Sequence, residues 1–332
     1  MVKIMKLKSM NERDIISIIT GKLGLESADN RLLRPLVGPG EDDCAVLEIC
    51  EGRYLVSSTD MLHERTDFPK GMTPWQIGWM SVAVNLSDIA AMGARPLGIM
   101  MALGLPPDTE LEFVEDLVEG MNDCARQQGT SIIGGDIDRH DELTIVGSAM
   151  GLVDAEHLVL RRGAQVGDVV CVTGELGTAG AALDALKHQS DAYPYVMKKL
   201  YMPVPRIREG LALAQTGCLT SMIDMSDGLA LALHDIATIS SVGFRINAAS
   251  IPVHRTVRDM AGSETRLVEW SVYCGGDFEL LFTITSRCVE KARKVAKFTV
   301  IGEVTARGIT LEQDGSTATV EPKGYQQFGD KV

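Results

Sequence analysis

The chain has 332 residues, 45% of them apolar, which is enough to bury two cores of ordinary size, so two domains are expected. A formal net charge of −13 and a sequence pI near 5.0 exclude nucleic acid and an anionic membrane as default partners, because either would repel this surface; the same acidity can recruit cations. The N-terminal stretch lacks the apolar core of a signal peptide, and no uncharged apolar run of about 18 residues follows it, so a cytoplasmic protein with no membrane partner is expected.

Asn11 ahead of Glu12 and Asp14 marks a helix start, with apolar residues at helical spacing through Ile18 and Leu23, a lid or edge element. Residues 45–47 and 54–57 read as short strands. Thr73-Pro74 opens a long helix through Ala91 that Gly93 can end. A helix over 108–128, stopped by Gly129, precedes strands at 131–133 and 143–153, which completes one α/β domain. After Gly163 the pattern restarts: a buried strand at 169–173, a turn with Gly174, Gly177 and Gly180, then a helix to about Lys187. Helices near 206–215 and 228–240 and strands near 244–246, 279–284 and 298–304 complete a second α/β unit. The expected boundary falls within 153–163, dividing the chain into 1–155 and 156–332.

Seven cysteines are scattered without a CxxC pair, so they read as mostly core thiols, and the histidines lack HxxxH spacing. The acidic residues are more informative, because they recur at the ends of apolar strands or inside apolar helices, where an unpaired carboxylate is costly. Five places qualify: Asp42-Asp43, Asp60 after 55–59, Asp88 within 85–88, Asp136 after Gly134-Gly135, and Asp224 with Asp227. Two like charges about 4 Å apart repel by roughly 4 kcal/mol at an effective dielectric of 20, so converging carboxylates need cations. Magnesium suits them, being a hard ion that takes carboxylate, hydroxyl and phosphate oxygens, and Ser58, Thr59, Ser87 and Ser226 stand alongside. Singly, most have a structural reading as well: Asp42-Asp43 as turn residues, and Asp60, Asp136 and Asp224/Asp227 as caps. Asp88, inside a helix, has no capping role open to it.

Other phosphate sites are absent by spacing. No GxxxxGK(S/T) occurs, and the Gly174-x-x-Gly177-x-x-Gly180 run is not GxGxxG. Asp138-Arg139-His140-Asp141 lies in a polar turn and is no kinase catalytic loop.

Taken in order, GEDDCAV (40–46), SSTDML (57–62), AVNLSDIAAMGARP (83–96), GGDI (134–137), LRRGAQVGD (160–168), IDMSDGL (223–229) and GGDFELLF (275–282) resemble the thiamine-monophosphate kinase family over nearly the whole chain. That family groups with aminoimidazole-ribonucleotide synthetase, selenophosphate synthetase and a hydrogenase-maturation protein. The resemblance implies an α/β (α+β) two-domain synthetase-like fold, its N-terminal mixed sheet forming a barrel at a homodimer interface, and ATP in a cleft nearby. It implies several Mg2+ ions, K+ as a further candidate ion, and phosphoryl transfer from ATP to thiamine monophosphate.

Carried over by motif, the metal ligands fall on Asp43, Ser58, Thr59, Asp60, Asp88, Asp136, Asp224 and Asp227. Nucleotide contacts fall on Gly135, Asp136, Arg161 and Ser226, and the catalytic roles on Asp60, Asp136 and Arg161. Substrate positions depart from the bacterial pattern, in an archaeal-like way: Asp67 stands where a histidine is usual, Gly276 for a glutamate before Asp277, and Pro322 for a tryptophan before Lys323-Gly324-Tyr325. Asp67 and Asp277 remain polar candidates for a cationic thiazolium. A purine-intermediate cyclo-ligase of the same superfamily, and a nucleotide-binding regulatory dimer without catalysis, are the alternatives.

Overall fold

The computed structural model describes residues 10–23, 35–188 and 193–327. Helix α1 (Glu12–Thr20) starts where expected, because the Asn11 side chain accepts the Asp14 N–H at 2.8 Å and fills one orphan donor of the first turn. None of its residues is buried, so it lies on the surface.

The first sheet is mixed and has the order β1-β2-β5-β3-β4, built from β1 (Ala45–Cys50), β2 (Arg53–His63), β3 (Arg95–Leu105), β4 (Ile132–Arg139) and β5 (Thr144–Asp154). Strand β3 is absent from the sequence reading because Pro96, Gly98 and Gly104 punctuate it; it is nonetheless flanked on both sides, antiparallel to β5 and parallel to β4. Strand β4 runs six residues past the expected 133, through Gly134-Gly135 to Arg139. Glycine is required at 135, since a Cβ there would sit 1.9 Å from the Met101 carbonyl oxygen.

Helix α2 (Pro74–Ala91) begins with a capping box between Thr73 and Gln76 and a proline in its first turn. Nearly every residue from Ile77 to Ala91 is buried, so it is apolar all round and lies between layers. One flank packs on α3 (Leu111–Gln127) through Gly78 and Gly120, whose added Cβ atoms would each come within 1.9 Å of a facing carbonyl oxygen. The others meet the first sheet and the C-terminal half.

That half holds a seven-stranded mixed sheet of order β12-β11-β8-β10-β6-β9-β7. In chain order its elements are β6 (Val169–Val172), α4 (Thr178–Lys187), α5 (Pro194–Tyr201), α6 (Ile207–Ala214), β7 (Leu219–Asp224), α7 (Leu229–Ser240), β8 (Gly243–Asn247), α8 (Arg255–Ala261), α9 (Glu264–Val268), β9 (Leu280–Ile284), α10 (Val289–Arg293), β10 (Thr299–Thr305), β11 (Ile309–Gln313) and β12 (Ser316–Thr319). The two halves share one apolar cluster, in which Leu86 and Ile89 of α2 join Met222 of β7 and Phe282 of β9. Strands β11 and β12 and helices α5, α8, α9 and α10 are not in the sequence reading.

Cys218 and Cys288 are bonded as a disulfide, with Cα atoms 5.9 Å apart, which corrects the reading of this pair as core thiols. The antiparallel pairing of β7 with β9 brings the two ends together, a long-range contact that spacing does not reveal. Cys44, Cys124 and Cys171 are buried free thiols, as expected. Among the described residues no helix is long and apolar enough to cross a membrane.

Candidate active site

The expected aspartates arrive from separate elements. Asp43 sits on the loop entering β1, Asp60 in the middle of β2, Asp88 in the last turn of α2 and Asp224 at the end of β7. One carboxylate oxygen each of Asp43, Asp88 and Asp224 lies within 4.8 Å of the others. Burial drives all three toward the protonated form; repulsion from neighbouring carboxylates adds to it at Asp224, pushed up to about 8, and at Asp88, well above the usual carboxylate range, while Arg161 opposes it at Asp43. Asp60 rises to about 6, by burial and then by the charge of Asp43.

Arg161 answers part of this charge. Its Nε donates to Asp43 Oδ1 at 3.0 Å, a second guanidinium nitrogen reaches the same oxygen, and its backbone N–H donates to Asp42 Oδ2 at 2.9 Å. One cation cannot satisfy the group, because Asp43 Oδ2 and Asp60 Oδ2 are buried without any hydrogen-bond partner. Orphaned carboxylate oxygens facing other carboxylates match the donor set of a hard divalent ion, so Mg2+ fits the site by its chemistry.

Two hydroxyls hold carboxylates of the cluster, and an amide holds the backbone of Asp60. Ser58 Oγ donates to Asp88 Oδ2, Ser87 Oγ to Asp224 Oδ2 at 2.6 Å, and the Asp60 N–H donates to Asn85 Oδ1 at 3.2 Å. The sequence reading does not assign Asn85 a role; the available signal is a polar residue inside an otherwise apolar helix. It also explains Gly147, where a Cβ would come within 2.2 Å of Asn85 Nδ2.

Capping does not account for these aspartates. Asp60 and Asp136 are mid-strand, Asp224 accepts from Ser87, and α7 is preceded by Gly228 with no side-chain cap, so Asp227 caps nothing. Asp277 has the opposite outcome. Its two oxygens accept the Gly177 N–H at 2.6 Å and the Ala179 N–H at 2.9 Å, so it caps α4 from a distant loop. Burial pushes it up to about 7 against the pull of those donors.

Two expected ligands lie elsewhere in the chain. Thr59 donates to the Gly147 carbonyl at 2.7 Å and, next to Asp60 in a strand, points to the other face of the sheet. Asp136 pairs with Ala102, Ala102 with Val146, and Val146 with Met61, which puts Asp136 on that same outer face and exposed. Three strand spacings separate it from β2, about 14 Å.

Beside the cluster opens a cavity of about 500 Å³, lined by Glu12, Arg13, Asp42, Arg161, Asp227 and Asp235 among others. Arg13 crosses it to Asp235 at 2.7 Å. The carbonyl of Ser226 accepts the Gly276 N–H at 2.8 Å and that of Asp227 the Tyr325 N–H at 3.1 Å. Burial, and then Glu12, raise Asp227 to about 6. The C-terminal tail runs on past exposed Pro322 to Asp67, whose Oδ1 accepts Gln327 Nε2 at 3.0 Å and whose Oδ2 accepts the His63 N–H at 2.8 Å.

Residues 41–153 match the AIR synthase related protein N-terminal domain and residues 165–313 the C-terminal domain. The thiamine-monophosphate kinase of Methanospirillum hungatei is 43% identical over 95% of this chain and 99% of its own length. The chain belongs to the thiamine-monophosphate kinase family. A second family member, from Archaeoglobus fulgidus, is 36% identical over 96% of this chain and 99% of its own. Among solved structures of thiamine-monophosphate kinases, AaThiL complexed with AMPPCP and TMP superposes with a TM-score of 0.84, at 27% identity, over 98% of this chain and 100% of that one.

Proposed function

We propose that this chain transfers the γ-phosphoryl group of ATP to the phosphate of thiamine monophosphate, giving thiamine diphosphate and ADP. The observation that carries the reading is the set of buried carboxylates converging at the junction of the two sheets, with two oxygens unpartnered, in a chain so similar to its relatives end to end. The acceptor is already an anion, because a phosphate monoester has a second pKa of about 6, so no side chain is needed to take a proton from it. The obstacle is the approach of two polyanions.

Asp43, Asp60, Asp88, Asp224 and Asp227, with the Ser58 hydroxyl, would hold Mg2+ ions, which when bound supply charge neutralisation for phosphoryl transfer. Arg161 orients Asp43 and presents a fixed positive charge at the cavity wall. Gly135, whose lack of a side chain serves the close approach of Met101, and Ser226, which precedes Asp227 of the cavity wall, would contact the nucleotide. Asp67 and Pro322 stand where the tail would meet the thiamine end. Asp277 supports that end through α4.

The outer face of the first sheet carries exposed Met61, Met100 and Ile133, an apolar face suited to a second copy. Thr59 and Asp136 lie on that face, too far apart to share one ion within one copy, and a homodimer docked through it would set Asp136 of one copy against the face of the other that carries Thr59. The domains divide at residue 155, and the protein is cytoplasmic. The deciding experiment incubates purified protein with MgATP and thiamine monophosphate and resolves products chromatographically. Thiamine diphosphate appearing with ADP is the expected result; ATP consumed only with another acceptor, or not at all, refutes it. Mixing Asp136→Asn with Asp88→Asn protein should restore up to about a quarter of the activity if Asp136 acts across the dimer.

A further inference from the structure

Helix α2 contains a built-in comparison between two buried serines. Ser81 does what serine ordinarily does inside a helix: its Oγ donates back to the Ile77 carbonyl at 2.8 Å. Ser87, equally buried, does not. Its Oγ reaches out of the helix to Asp224 Oδ2 at 2.6 Å, joining residues 137 positions apart. The next residue, Asp88, faces the other sheet and accepts from Ser58 of β2. Two consecutive residues thus link α2 to both halves of the molecule at the carboxylate cluster.

We infer that Ser87 is a positioning residue that holds the Asp224 carboxylate in the cluster in the orientation a divalent cation requires. The inference rests on the reading of these aspartates as a cation site. Without a fixed donor, repulsion from Asp43 and Asp88 would turn Asp224 away, and each binding event would have to draw it back. The bond engages one carboxylate oxygen and leaves the other available. Because Ser87 belongs to α2 and Asp224 to β7, the bond also fixes how the two halves meet, so that the site is assembled before the cation arrives.

The test measures Mn2+ binding to nucleotide-free protein by electron paramagnetic resonance, with thermal unfolding as the control for folding. Wild type should bind Mn2+. Ser87→Ala and Ser87→Cys, the latter filling the space with a weak donor, should each bind about 10- to 100-fold more weakly, the range for losing an outer partner of a metal ligand. Ser81→Ala should bind as wild type does. A Ser87 variant that folds and binds Mn2+ within about threefold of wild type overturns the inference and leaves the cation reading intact. Failure of both variants to fold with or without Mn2+ also overturns it, since Ser87 would then be a structural residue. Wild type failing to bind Mn2+ refutes the cation reading itself.

Discussion

Replacing Asp88 by Asn should stabilise the cation-free protein while abolishing its chemistry. Asp88 shares the 4.8 Å cluster with Asp43 and Asp224, and a single pair of unit charges at that separation repels by about 3.5 kcal/mol at an effective dielectric of 20. Two such pairs come to about 7 kcal/mol with all three carboxylates ionised, but protons retained on the cluster relieve much of it, so a gain of about 3 kcal/mol is expected at pH 9 in EDTA. Asn keeps a carbonyl oxygen to accept from Ser58, so the packing is conserved. Urea unfolding of both proteins, with EDTA and with excess Mg2+, reads the effect. In EDTA the variant midpoint should lie higher; with Mg2+ the order should reverse, because wild type gains ligand stabilisation the variant lacks. Turnover should fall at least about 100-fold. A variant less stable than wild type in EDTA, or active within about tenfold, would show that Asp88 is a structural carboxylate.

The cation-free protein should lose stability as pH rises. Burial lifts Asp60 to about 6, Asp42 to about 7 and Asp224 to about 8 in the folded state, all above the unfolded value, so the folded form binds the extra protons. Their contribution is complete below about pH 4 and is lost as pH climbs through about 6 to 8; a flat or rising urea midpoint across that window in EDTA would contradict this, and Mg2+ should remove the decline. Asp277→Ala should cost about 1 to 2 kcal/mol through loss of the α4 cap, with KM for thiamine monophosphate changed less than about threefold; a tenfold KM increase at unchanged stability would restore Asp277 to the substrate. Met100→Glu, placing a charge on the outer sheet face, should yield monomers in light scattering, and a variant that still sediments with the wild-type mass would move the dimer interface elsewhere.

Much of the site was legible because burying a charge is expensive. Asp88 in an apolar helix and Asp224 after an apolar strand are anomalies that only a partner resolves, and both lie in the cluster. Legibility fails where the relevant contact is long-range. Nothing near Asp277 announces that its oxygens serve Gly177 and Ala179. Asp136 and Asp60 look alike in sequence, and only the register across β2, β5, β3 and β4 puts them on opposite faces. The fold divides similarly. Helix α2 is marked by its own cap, while β3 carries breakers that its neighbours override, since pairing on both edges compensates for poor local propensity.

Helix α2 is walled in on every side and delivers Asn85, Ser87 and Asp88 together. Their spacing is therefore as unyielding as the protein interior, and it cannot drift to suit a new reactant. Diversification toward other anionic acceptors would have to proceed at the rim, where α1 and the tail around Asp67 and Gln327 meet, and an engineer redirecting this scaffold would mutate there and leave the central rod untouched.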